Sequence, residues 1–255
     1  MTVAELDRWL SSFLDIGALE GIDSSQNGLQ VGSALAETTR VAFAVDASME
    51  SFRRAAQWGA GLLVVHHGII WAAPQRIVGS LFERVRFLAE KNLALYAAHL
   101  PLDKHPEVGN NIGIAHLLGL QDIAPFGTWR GVTIGCRGVL AEPMSLEQVV
   151  TRLSGRQGEP MRTLPFGPPM VRSVGIVSGA APRAGDIGNA VAGKLDLFIT
   201  GEPSHEVYHH CLEERIHVIF AGHYHSESFG VRLLADRLAR ETGVETTYLD
   251  IPTGL

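Results

Sequence analysis

Short apolar runs that each end in a histidine or a carboxylate recur along this chain, with helical stretches between them. This alternation narrows its fold more than any other feature. RVAFAVD (40–46) is followed by the amphipathic MESFRRAAQWGA and then by LLVVHH (62–67). LALYAAH (93–99), DLFITGE (196–202) and HVIFAGH (217–223) extend the pattern. Runs this short suit strands rather than helices, and near-continuous apolar character suits strands covered on both faces. Parallel strands need a crossover of a dozen or more residues, which the intervening helical patterns supply. The chain is therefore expected to be an α/β protein of two α/β lobes with mostly parallel or mixed sheets.

The 255 residues suffice for two modest lobes. Residues 1–127 are assigned to an N-terminal α/β lobe, completed by a C-terminal segment at about 217–255, and 128–216 to a second lobe. In that second lobe GVTIGCRGVL alternates as a strand does, SLEQVVTRLSG is helical, and LPFGPPM is a punctuated connection. The spacing from Val41 to His66 nearly equals that from Val174 to Thr200. Both stretches read strand, helix, strand, and an internal duplication is the expectation they raise.

Charge and cysteine content restrict function. The net charge is −6, which disfavours sequence-independent nucleic-acid binding, because phosphate contacts need clustered Lys and Arg. Nucleic acid is not expected as a partner. Only Cys136 and Cys211 occur, so there is neither a disulfide framework nor a Cys-x-x-Cys metal knuckle. MTVAELDRWLSSFLDIGALEG reads as an amphipathic helix with Leu6, Leu10, Phe13 and Leu14 on one face, not as a signal peptide. No run approaches the ~20 apolar residues of a membrane span. A soluble, cytoplasmic protein without a membrane partner is expected.

The 11 histidines are the outlying feature. In open α/β sheets ligands gather at the carboxyl ends of strands. Those ends carry His66-His67, His99 with Asp103, Glu202 with His205, and His223 with Glu227. Taken singly, His99 reads as a buried, hydrogen-bonded imidazole, Asp103 as a cap or turn residue, and Glu227 as a carboxylate favouring a helix N-terminus. Taken together they are a metal-site pattern, with His223 and Glu227 at i and i+4 able to converge on one ion. The expected site lies between the lobes. Mixed imidazole and carboxylate donors suit Zn, Fe, Mn or Ni, and two divalent ions about 3.5–4 Å apart are usual where several histidines share bridging carboxylates. Glu202 and His205 are assigned to proton transfer, substrate contact or support of the ligands. His105, His116, His209, His210 and His217 have no carboxylate at a telling spacing, and His225 is placed beside the ligands.

Competing chemistries are weaker. Ser178-Gly179-Ala180 follows a strand as a phosphate-binding turn does, but no Walker or Gly-x-Gly-x-x-Gly spacing surrounds it. No Gly-x-Ser-x-Gly elbow occurs.

The segments QNGLQVG, VVHHG, AAHLPLD followed by GNN, ITGEPSH and AGHYHSE stand in the order found in the NIF-three-like family, which this chain resembles from Asn27 to Glu227. Members are often named GTP cyclohydrolase I type 2 homologues, or dinuclear metal centre, hexameric proteins. The resemblance implies metal ligands at His66, His67, Asp103, His223 and Glu227, with Glu227 bridging two ions and His99 near or on them. It also implies a toroidal homo-hexamer. Gly68 stands where a proline commonly follows the two histidines, and Gln26 where an aspartate is frequent; neither change removes a ligand.

Three functions are compatible with this site. The first is a dinuclear-metal-dependent hydrolase, with activated water attacking a nucleotide or related small molecule, GTP ring opening being the named example. The second is a two-metal phosphoesterase or amidohydrolase, for which Arg53, Arg54, Arg76 and Arg183 are the nearest cations. The third is a non-enzymatic hexameric metal-binding scaffold or regulatory adaptor. Open coordination positions favour catalysis over a structural role.

Overall fold

The computed structural model describes residues 1–154, 161–181 and 184–255. Arg183 lies outside them. In chain order the elements begin with α1 (Val3–Phe13), β1 (Gly28–Val31), β2 (Arg40–Asp46), α2 (Met49–Trp58) and β3 (Leu62–His67). Next come α3 (Gly79–Glu90), β4 (Ala94–Ala97), α4 (Leu100–Lys104) and α5 (Asn110–Leu118). The paired strands β5 (Leu120–Trp129) and β6 (Val132–Met144) lead to α6 (Leu146–Ser154), β7 (Arg162–Pro165) and β8 (Val171–Ile176). The chain continues through α7 (Ala184–Ala192), β9 (Leu197–Thr200), α8 (Val207–Glu214) and β10 (His217–Phe220), then α9 (His223–Thr242) and β11 (Glu245–Tyr248). The described chain is α/β and divides into two compact units, Met1–Val108 with Gly230–Ile251, and Gly109–Phe229 with Pro252–Leu255.

The first unit is built on a sheet of order β1-β4-β3-β2-β11. β2, β3, β4 and β11 run parallel, and β1 pairs antiparallel with β4. The apolar runs are covered on both faces, which is why they show no alternation: Val41–Val45, Leu62–Val65 and Ala94–Ala97 are all buried. On one face Ala42, Ala44, Leu63, Val65 and Leu95 pack with Phe52 of α2 and Leu88 of α3. Each fully buried Leu or Phe contributes roughly 1.5–3 kcal/mol. A Ser48–Ser51 capping box starts α2, and Gly59, at φ +82°, ends it in the left-handed region that glycine enters freely. In α1, Leu6 and Leu10 are buried and Leu14 follows them into the core. Phe13 is only half-buried; its ring stacks on Trp9 and lies tilted against His105. The turn-rich segment after α1 yields the short edge strand β1.

The second unit has a sheet of order β5-β6-β8-β9-β10-β7. β8, β9 and β10 are parallel, while β5, β6 and β7 pair antiparallel with their neighbours. β5 and β6 meet at Arg130-Gly131, both with positive φ (+47° and +84°), the backbone of a two-residue hairpin turn. The helix read from IGIAHLLGL is α5, and its Ile112, Ile114, Ala115 and Leu118 are in this unit's core with Leu140, Val149, Leu153, Val174 and Ile176. The β2–α2–β3 crossover of the first unit has a counterpart here in β8–α7–β9. Among the described residues no helix is long and apolar enough to cross a membrane.

Candidate metal centre

In the first unit three parallel strands deliver their last residues to one edge of the sheet. β2 ends at Asp46, β3 at His66 and His67, and β4 runs on through Ala98 to His99. Parallel pairing sets Asp46 opposite His67. The three imidazoles cluster, with ring centroids 4.7 Å apart for His66–His67, 5.1 Å for His66–His99 and 5.7 Å for His67–His99. One ring nitrogen from each lies within 4.8 Å of the others, a spacing at which an ion could be held. The Trp71 ring stands edge-on to His99 at 5.2 Å.

Each ring is oriented from behind through Nδ1. His66 Nδ1 lies 2.9 Å from the Ala98 carbonyl, which can only accept, so this nitrogen carries the proton and Nε2 is the lone-pair donor. His67 Nδ1 lies 2.8 Å from Asp46 Oδ1, and His99 Nδ1 2.8 Å from Asp23 Oδ1. A carboxylate or carbonyl on one nitrogen fixes the tautomer and makes the other a better ligand. Asp103, on α4, brings Oδ2 to 3.5 Å from His66 Nε2. Asp103 is 6% exposed and His66 fully buried, whereas the side chains of His67 and His99 keep 20% and 21% exposure.

Asp23 has a second task. It accepts from the Ser25 and Leu100 backbone N–H groups and from Asn27 Nδ2 as well as from His99. Burial pushes its carboxyl pKa up, but hydrogen bonds and the His99 charge outweigh this and hold it below the usual range. Asn27 Oδ1 in turn accepts from the His99 backbone N–H at 2.8 Å. Gly68 has its own reason here: a Cβ there would sit 2.4 Å from the Gln30 side-chain amide. That amide accepts from Ile69 and Ile70 N–H and donates to the Gln26 and Ile70 carbonyls, clamping the loop after the paired histidines.

The second unit repeats the device. His223 and Glu227 occupy the first turns of α9, with His223 Nε2 3.1 Å from Glu227 Oε2. His223 Nδ1 lies 2.6 Å from Glu202 Oε1. Glu227 is 3% exposed, and it packs against the loop after β8: a Cβ on Gly179, at φ +65°, would lie 2.2 Å from Glu227 Oε1. The Ser178-Gly179 turn is thus the seat of this carboxylate. The Gly179 carbonyl accepts from Gly201 N–H, Glu202 N–H and Thr200 Oγ1, tying the β8 and β9 ends together. His205 is exposed, in the turn before α8.

Three of the remaining histidines are held by other bonds. His105 Nε2 meets the Phe13 carbonyl, His217 bridges Gly167 N–H and the Pro168 carbonyl, and His225 Nε2 meets the Leu153 carbonyl. Arg53 and Arg54 pair with Glu50 on α2, and Arg76 is exposed. Sequence reasoning did not single out Asp23 or Asp46 as site residues, and it read Gly179 only as part of a turn after a strand. Asp46 ends an apolar run as the histidines do, and that was its one signal.

Comparison with known proteins gives a consistent picture. Residues 1–253 match the profile described as Duf34/NIF3 (NGG1p interacting factor 3). The chain is 46% identical over 255 residues to the GTP cyclohydrolase 1 type 2 homolog of Archaeoglobus fulgidus, covering 100% of both. It is 45% identical over 251 residues to the protein of the same name from Deinococcus radiodurans, covering 98% of this chain and 94% of that one. Among solved structures, TTHA1606 from Thermus thermophilus superposes with a TM-score of 0.87 at 39% identity. Protein ybgI, of unknown function, superposes with a TM-score of 0.91 at 30% identity; both cover 100% of each chain.

Proposed function

The chain belongs to the Duf34/NIF3 family, and from that premise we propose that it is a dinuclear-metal-dependent hydrolase of small molecules. The residues that would hold the ions are His66, His67, His99, Asp103, His223 and Glu227. The observation that carries this reading is the outer bond on each imidazole. Ala98, Asp46, Asp23 and Glu202 hold the Nδ1 atoms of His66, His67, His99 and His223, so four Nε2 atoms are prepared as donors. An imidazole and carboxylate donor set fits two first-row divalent ions. When bound, such a pair supplies an acidified water and a Lewis acid for the substrate oxygen.

The chain's own residues supply the rest. The partial exposure of His67, His99 and His223 (20%, 21% and 25% of each side chain) supports positions open to substrate rather than a closed structural site. Glu202 orients His223 and is itself 45% exposed, which suits it to accept and return a proton; His205 is the second candidate. The names of the relatives make GTP the first substrate to try. The family resemblance supports assembly of these chains as a hexamer, which sedimentation would test.

The test is turnover of a panel containing GTP, other nucleotides, phosphoesters and small peptides. Metal-dependent hydrolysis by the wild type, lost in His66→Ala, supports the reading. Formate release from GTP would select ring opening over phosphoester or amide cleavage. Two bound ions with no turnover anywhere in the panel would contradict the hydrolase and favour the scaffold.

A further inference from the structure

We propose that the second unit carries a binding pocket for a planar small molecule bearing a phosphate, with Arg162 pairing the phosphate and Glu202 facing the planar body. This rests on the reading of Glu202 as part of the reacting site.

A cavity of about 540 Å³ is lined by Arg162, Gly201, Glu202, Phe220, Gly222 and Leu255 among others. That volume is within the ~300–1,000 Å³ typical of small-molecule sites. Its floor is made where β9 and β10 end, the edge at which parallel sheets bind ligands. Glycines keep the floor low. A Cβ on Gly201 would lie 2.6 Å from the Gly179 carbonyl, and Gly222 has φ +88°.

Charge is distributed unevenly around this space. Antiparallel pairing of β7 with β10 sets Arg162 opposite Phe220. Arg162 is exposed, and no ion pair among the described residues engages its guanidinium. A planar fork of donors left open beside a cavity is suited to a phosphate. The Glu202 carboxylate, in contrast, is already bonded to His223 Nδ1, and it can accept only from donors such as the N–H edge of a heterocycle. Phe220, Ala221 and Pro203 add apolar lining to the same cavity.

The test is calorimetric titration of guanosine 5′-monophosphate and guanosine into wild type, Arg162→Ala and Arg162→Lys, with metal content measured on each. Arg162 is exposed on an edge strand, so both variants should fold. Loss of a charge-assisted pair predicts monophosphate binding weakened roughly tenfold or more in Arg162→Ala, with partial recovery in Arg162→Lys. Guanosine affinity and metal content should not change. Equal monophosphate affinity in wild type and Arg162→Ala, equal weakening of both ligands, or no binding of either to wild type would overturn the proposal. Failure of the metal reading would show separately, as absent metal with the Arg162 dependence intact.

Discussion

Asp46 Oδ1 accepts the Nδ1 proton of His67 at 2.8 Å, across neighbouring strands whose parallel register sets the two residues opposite each other. Sheet pairing therefore selects the tautomer of a candidate ligand.

Replacing Asp46 with Asn should preserve the fold, since its side chain is 39% exposed. It should weaken metal binding by about 10–100-fold, the usual effect of removing an outer partner of a ligating imidazole. Competition with a chromophoric chelator measures this, and unchanged affinity would remove Asp46 from the centre.

Gly179→Ala tests the seat of Glu227. The new Cβ would meet Glu227 Oε1 at 2.2 Å, on a backbone at φ +65° that alanine enters at a cost. A stability loss of about 1–3 kcal/mol is expected, together with reduced metal content. Denaturant titration reads the first and elemental analysis the second. Full metal content in a folded variant would show that Glu227 tolerates displacement.

The two cysteines give a prediction on pH. Burial pushes the Cys136 thiol from 9.0 up to about 12, and the Cys211 thiol from 9.0 up to about 11. The native thiols should resist alkylation at mildly alkaline pH and react once the chain unfolds. Folded pKa values above the unfolded ones mean that the unfolded state loses protons first. Their contribution to stability is full below pH 9.0 and lost as pH rises through the folded values. A Cys136→Ala/Cys211→Ala variant should show a flatter decline in denaturation midpoint above pH 9.0 than the wild type; parallel declines would refute the assignment.

The ends of the parallel strands were legible because strands buried on both faces are unbroken apolar runs, so the first polar residue after each one stands out. His66, His67, His99 and His223 all follow that rule. Asp23 does not, because it reaches His99 across 76 positions through a turn whose path no local pattern encodes. Gly179 was visible only as a turn residue; its role depends on where Glu227 returns from α9. β5 gives no clear strand signal in sequence. LQDIAPFGTW carries Pro125 and irregular alternation, which an edge strand tolerates and a central one does not. α5 reads as the close of the first half because it follows it in sequence, yet Ile112, Ile114 and Leu118 pack in the second unit's core.

The most direct measurement is metal content of protein purified without chelator, for wild type and His66→Ala/Glu227→Ala. About two divalent ions per wild-type chain are expected, as in two-metal sites generally, with their loss in the double variant. Wild-type protein without metal, even after reconstitution with Zn, Fe, Mn and Ni, would contradict the two-metal reading.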